Sequence, residues 1–129
     1  MPLDHVSLLV PESDVASALE MYLAALAPLG YGIRLQFGPT VTGLGPADTD
    51  ETPDFWVIGV DNPPNRPCHI AFRAKDRATV DAFHAAALKA GAKDNGAPGL
   101  RAHYHPDYYG AFVLDAAGNN IEAVCRSPA

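Results

Sequence analysis

The chain has 129 residues, 48% of them apolar, which is enough for one ordinary globular domain with its own core. Its formal charge is −6, with nine scattered Lys and Arg against 15 Asp and Glu, so nucleic acid and anionic membrane surfaces are poor candidate partners. No apolar run approaches the roughly 18 residues that span a bilayer. The start "MPLDHVSL" lacks the basic end and long apolar centre of a secretory signal, so a cytoplasmic protein is expected. Cys68 and Cys125 form no CxxC spacing and are too few for a disulfide framework; both read as reduced, packed thiols.

The first element is a strand, "DHVSLLV", with Val6, Leu8 and Val10 on one face and His5, Ser7 and Leu9 on the other. A helix follows from about Ser13, as N-cap, to Ala27. Val15, Leu19, Tyr22, Leu23 and Leu26 form its apolar stripe, and Pro28 and Gly30 stop it. Strand-like segments come next: "GIRLQF", a short piece near "TVTGL", and "DFWVIGV". "GPADTDETPD" and "DNPPNRP" are Pro- and acid-rich loops, the second linking the two halves.

The strand "CHIAF" opens the second half, with Ile70 and Phe72 against His69, Ala71 and Arg73. Its helix spans about Arg77 to Ala90, with Val80, Phe83 and Ala87 inward, Asp76 as cap and Gly91 as stop. Strand-like pieces follow around Ala92 to Asn95, at "AHYHP", at "YGAFVLD" and at "NNIEAVC", with "DAAGN" turning the last hairpin. Setting His5 on His69 aligns strand, turn and helix without a gap, so the chain reads as a tandem repeat. Module 1 covers about residues 1–62 and module 2 about 66–127 of one domain. The apolar face of each first strand meets the helix, and the histidine face points the other way.

Glu122 lies mid-strand, sharing a face with Asn120 and Val124 while Ile121, Ala123 and Cys125 take the core side. A carboxylate beside apolar neighbours is costly to bury unless paired or bound to a cation. With His5 and His69 on the same non-helical face, it makes a two-imidazole, one-carboxylate set suited to Fe, Mn, Zn, Ni or Co as divalent ions, with positions left open for water and substrate. A single strand histidine is usually structural. Two at equivalent positions of a repeat favour the ligand reading. In "RAHYHPDYYGAF", His103, His105 and Asp107 are expected on one strand face opposite Tyr104. His105 is the candidate acid or base, and Tyr109 the candidate donor to a reacting oxygen. His84 is expected at the surface of the second helix. Arg73 is expected to pair with an acid in preference to meeting an anionic substrate, and Trp56 to be core or an apolar wall.

"DHVSLLV", "CHIAFRA" and, above all, "YHPDYYGAFVLDAAGNNIEAV" resemble the vicinal oxygen chelate superfamily, which holds glyoxalase I, extradiol dioxygenases, fosfomycin-resistance proteins and bleomycin-resistance binding proteins. The resemblance spans essentially the whole chain and implies an α+β fold: two tandem βαβββ modules forming a curved mixed-sheet cup, helices outside, with a divalent metal at its floor. It places the metal ligands at His5, His69 and Glu122. The family's fourth ligand position falls near Trp56, where glyoxalase I has Glu or Gln and this chain has no donor; Glu51 and Asp54 lie too early. That departure argues against lactoylglutathione lyase activity. The surviving His-His-Glu set is the one that resembles the extradiol dioxygenases. Two function classes follow: a metal-dependent lyase, isomerase or dioxygenase acting on a small oxygenated substrate by bidentate chelation, or a bleomycin-resistance-like binding protein without catalysis. A homodimer is the expected assembly, and the resemblance allows the ligand set to come from one chain or from two.

Overall fold

The computed structural model describes residues 3–48 and 52–129, which fall into two compact units, Met1–Asn65 and Arg66–Ala129. In the first, β1 (Val6–Pro11) leads into α1 (Val15–Leu26), and β2 (Tyr31–Phe37), β3 (Val41–Pro46) and β4 (Phe55–Val60) follow. The second repeats the order: β5 (His69–Arg73), α2 (Arg77–Lys89), β6 (Lys93–Leu100), β7 (Tyr109–Leu114) and β8 (Asn120–Cys125). Each unit is therefore a βαβββ module, and the α+β class expected from the sequence is the one observed. The sheets are ordered β1-β4-β3-β2 and β5-β8-β7-β6. In each, the first strand runs parallel to the last and the other pairs are antiparallel.

The alternation read from the sequence decides which face meets the helix. Leu8 and Val10 of β1 and Phe55 and Val57 of β4 are buried with Tyr22 and Leu26 of α1, and Tyr22 meets Phe55 edge-on at 5.1 Å between centroids. In the second unit Phe72, Val80, Phe83, Ala87, Ala111, Val113, Ile121, Ala123 and Cys125 form the equivalent core. α2 packs on β6, β7 and β8.

The ends of α1 differ from expectation. Ser13 is not the cap: a 3-10 turn occupies Glu12–Asp14, the helix begins at Val15, and no side chain caps it. At the other end Pro28 offers no N–H for an i→i−4 bond, so the chain tightens into a 3-10 turn, Ala27–Leu29, and ends on Gly30 at φ 84°. α2 follows its sequence signals. Asp76 Oδ1 accepts from the Thr79 amide at 2.8 Å and hydroxyl at 2.6 Å, and Gly91 leaves the helix at φ 104°.

Those two bonds from Thr79 hold the Asp76 carboxyl below the usual Asp range. A lowered native value means that the contribution is complete above the ordinary Asp pKa and is lost as pH falls through the native one. Asp76→Ala is therefore expected to lower the melting temperature at neutral pH. Melts taken in steps below about pH 4 should show the gap to wild type closing.

The last hairpin also forms as expected. Asp115 Oδ1 accepts from the amides of Ala117 and Asn119, and Gly118 takes φ 87°. Asn119 Oδ1 in turn accepts from the Cys68 amide at 2.8 Å, tying this turn to the start of β5. "AHYHP" is no strand. Residues 101–108 form a loop of turns, closed by the Arg101 amide donating to the Tyr108 carbonyl at 2.7 Å. The strand placed near 92–95 runs on to Leu100, with register shifts around Gly96 and Gly99. No helix among the described residues is long and apolar enough to cross a membrane.

Candidate functional site

β5 and β8 bring two of the expected site residues together. Parallel pairing sets His69 beside Asn120 and Ala71 beside Glu122, and β7 sets Phe112 opposite Glu122. Glu122 is 1% exposed, so its carboxylate is held almost entirely by protein groups, whereas the His69 side chain is 53% exposed. His69 Nε2 donates to Glu122 Oε1 at 2.8 Å. The Tyr108 hydroxyl donates to Glu122 Oε2 in a short hydrogen bond. The cost of burying this carboxylate is thus met by two hydrogen-bond donors, which the sequence alone did not show. Gly110 leaves the space these groups need: a Cβ there would lie 3.4 Å from Oε2 and 3.3 Å from the Tyr108 ring.

Burial, followed by the bond to Glu122, pushes the Tyr108 hydroxyl up to about 12, so it remains a donor through the neutral range. Its neighbours fix it in place. The Tyr104 ring meets it edge-on at 5.1 Å, and the Arg126 guanidinium lies 5.0 Å from its centroid.

Tyr109, the residue expected to face the site, points elsewhere. Its hydroxyl donates to Asp81 Oδ1 of α2 at 2.7 Å, with Arg77 5.1 Å over the ring. That bond raises the Tyr109 pKa. Strand parity explains the exchange. Tyr109, Ala111 and Val113 share the helix-facing side of β7, while Tyr108 has the parity of Gly110 and Phe112, the Glu122 side. "YYGAF" carries this signal: of two adjoining tyrosines, only the one with the parity of Gly110 and Phe112 reaches the Glu122 side.

His105 lies half-buried in the 101–108 loop, where its Nδ1 accepts from the Asp107 amide at 3.0 Å. The shared strand face expected for His103, His105 and Asp107 does not exist, because the segment is turned. His84 is not the free surface residue expected: its side chain is 11% exposed, and Nε2 donates to Asp94 Oδ1 of β6 at 2.9 Å. Arg73, on the His69 face of β5, makes no ion pair among the described residues, contrary to the acid partner expected for it.

His5 belongs to the first unit. It precedes β1 and is exposed, and its Nδ1 donates to Asp4 Oδ1 at 2.6 Å, which leaves Nε2 as the free ring nitrogen. Pairing of β1 with β4 sets Ser7 beside Trp56, as Ala71 is set beside Glu122. Trp56 is therefore the first unit's counterpart of Glu122. Its ring stacks on Phe37 at 5.8 Å and 9°, over Gly43, where a Cβ would come within 2.9 Å of it. Asp54 accepts from the Tyr31 hydroxyl at 2.8 Å, and Glu51 lies outside the described residues.

The donor set of the second unit fits a divalent ion in part. An imidazole and a carboxylate are both ligand types for such ions, and here His69 Nε2 and Glu122 Oε1 are hydrogen-bonded to each other at 2.8 Å. Among the described residues no three His, Cys, Asp or Glu side chains are gathered as a ligand set.

Comparison with solved structures gives the fold a known context. A glyoxalase/bleomycin resistance protein from Albidiferax ferrireducens T118 superposes with a TM-score of 0.72 at 24% identity, covering 94% of this chain and 97% of its own. A glyoxalase/bleomycin resistance protein/dioxygenase family enzyme from Burkholderia phytofirmans PsJN gives 0.69 at 18% identity, covering 98% and 100%. Lactoylglutathione lyase from Agrobacterium tumefaciens gives 0.61 at 16% identity, covering 96% and 94%. The chain thus has the fold of the glyoxalase/bleomycin-resistance/dioxygenase proteins, the vicinal oxygen chelate fold that the sequence resemblance implied. No family model and no curated protein matches the sequence.

Proposed function

We propose that the protein is a divalent-metal-dependent enzyme of the vicinal oxygen chelate superfamily acting on a small oxygenated substrate, with His5, His69 and Glu122 as its metal ligands. The observation that carries this reading is the pair formed by His69 Nε2 and Glu122 Oε1, 2.8 Å apart on the sheet face away from α2. Two further features support it. Asp4 holds His5 Nδ1 and leaves Nε2 for a ligand bond, the usual orientation device for a metal-binding imidazole. Arg73, without an acidic partner among the described residues, suits a substrate that carries negative oxygens.

When bound, the ion would act as a Lewis acid toward two neighbouring substrate oxygens. The chain's own groups would do the rest. His5, His69 and Glu122 would hold the ion, Arg73 would orient the substrate, and His105, whose Nδ1 accepts from the Asp107 amide, would move a proton at Nε2. Lyase, isomerase and dioxygenase reactions all use these parts. Lactoylglutathione lyase activity is outside the reading, because Trp56 stands where a fourth donor would be needed. The setting is cytoplasmic. The assembly is a homodimer, supported by Leu9, Leu35 and Phe37, which are 44%, 44% and 62% exposed on one face of the first sheet.

The Phe37–Trp56 stack favours a second reading: a metal-free, bleomycin-resistance-like module that binds a planar ligand against these rings. Metal content separates the two. Purified wild type should carry or take up one divalent ion per chain and His69→Ala none; wild type that binds no ion at any concentration tested would leave only the binding module.

A further inference from the structure

The Tyr108 hydroxyl engages a carboxylate that is 1% exposed, and the residue is fixed on every side. Its carbonyl accepts from the Arg101 amide at 2.7 Å, and its amide donates to the His105 carbonyl at 3.0 Å. Its ring lies between Tyr104 and Arg126. Arg101 is itself anchored, through Nη1, to the carbonyls of Gly99 at 2.8 Å and Gly110 at 2.6 Å, and its guanidinium lies 5.1 Å over Phe112. The 101–108 loop thus presents one hydroxyl at a fixed point beside Oε2. Each carboxylate oxygen has its own donor, which favours one orientation: Oε2 takes the Tyr108 hydroxyl and Oε1 is directed at His69 Nε2.

We infer that Tyr108 is a positioning residue that sets the orientation of Glu122, engaging Oε2 so that Oε1 is the oxygen presented to His69 Nε2, where the pair would hold the ion. The inference rests on the metal reading above. In the first unit Trp56 occupies the counterpart of the Glu122 position, so no equivalent carboxylate needs such a device. Outer hydrogen bonds to a ligating carboxylate typically change metal affinity by about 10–100-fold when removed. Tyr108→Phe keeps the ring contacts and deletes only the donor.

The test uses cobalt(II), titrated into chelator-treated full-length protein and followed by its visible absorption, with circular dichroism confirming that each variant is folded. Tyr104→Phe serves as control, since it alters a neighbouring ring without touching Glu122. Tyr108→Phe should bind cobalt about 10–100-fold more weakly than wild type. Its visible bands should change in intensity, since the carboxylate is no longer held in one orientation, while Tyr104→Phe should match wild type in both respects. Wild-type affinity and spectrum in Tyr108→Phe would overturn the inference and leave the metal reading standing, as would an equal loss in Tyr104→Phe. No cobalt bound by wild type would overturn the metal reading, and the inference with it.

Discussion

Phe83→Ala is expected to lower the free energy of unfolding by about 3–5 kcal/mol, a loss on the order of 10–20 °C in melting temperature. Phe83 sits in the middle of α2 with no solvent exposure, among Val80 and Ala87 of its own helix and the buried residues of β7 and β8. Truncation removes a large apolar group and leaves a cavity. Neighbours as small as Ala87, Ala111 and Ala123 cannot reach into it. Against a total stability of about 5–15 kcal/mol, one such loss takes a large share. Urea denaturation reads it directly, and a loss below about 1 kcal/mol would show that the helix is not seated on the sheet as described.

The second large effect concerns the polar cluster. Tyr108→Phe leaves Glu122 Oε2 buried with no donor, and is expected to cost about 2–3 kcal/mol in metal-free protein. Combining it with Glu122→Leu removes both partners and fills the carboxylate's space with apolar atoms, so stability should return to within about 1 kcal/mol of wild type. Metal binding should be absent in the double variant. Recovery of stability without recovery of binding is what distinguishes a carboxylate kept for its chemistry from one kept for the fold. Urea melts of the single and double variants in chelator measure it, and a double variant no more stable than Tyr108→Phe would contradict it.

Alkaline pH adds an independent reading of the same bond. The native Tyr108 pKa, raised to about 12, lies above the ordinary value of 10, so the contribution is complete below pH 10 and is lost as pH rises toward 12. Tyr31, raised by burial and by its bond to Asp54, acts in the same direction. Part of the alkaline fall in stability should therefore vanish in Tyr108→Phe.

Much of the fold was legible because its signals are local and repeated. The alternation of "DHVSLLV" and "CHIAF" gave the helix-facing sides, and the Asp76 cap, Gly91 and the "DAAGN" turn all behave as their residue types dictate. The errors fall where local chemistry is weak. The strand read at about Ala92 to Asn95 is too short, because the Gly and Pro of "GAPGL" signal a break, yet β6 runs on to Leu100 because β7 offers a ladder that tolerates register shifts around Gly96 and Gly99. "AHYHP" alternates like a strand, but turn contacts between Arg101, Tyr104, His105 and Tyr108 close it into a loop. The candidate site was half legible. That His69 and Glu122 share a sheet face follows from strand alternation, and the position near Trp56 that lacks a donor was legible too, its equivalence to Glu122 now fixed by register; the role of Tyr108 needed the register of β7 against β8.

Calorimetric titration of chelator-treated protein with manganese(II), alongside His69→Ala, tests whether the ion proposed for His69 and Glu122 is bound there. One ion per chain bound by wild type and none by the variant is the predicted result. A wild type that binds no ion, or a variant that binds as tightly as wild type, would contradict it.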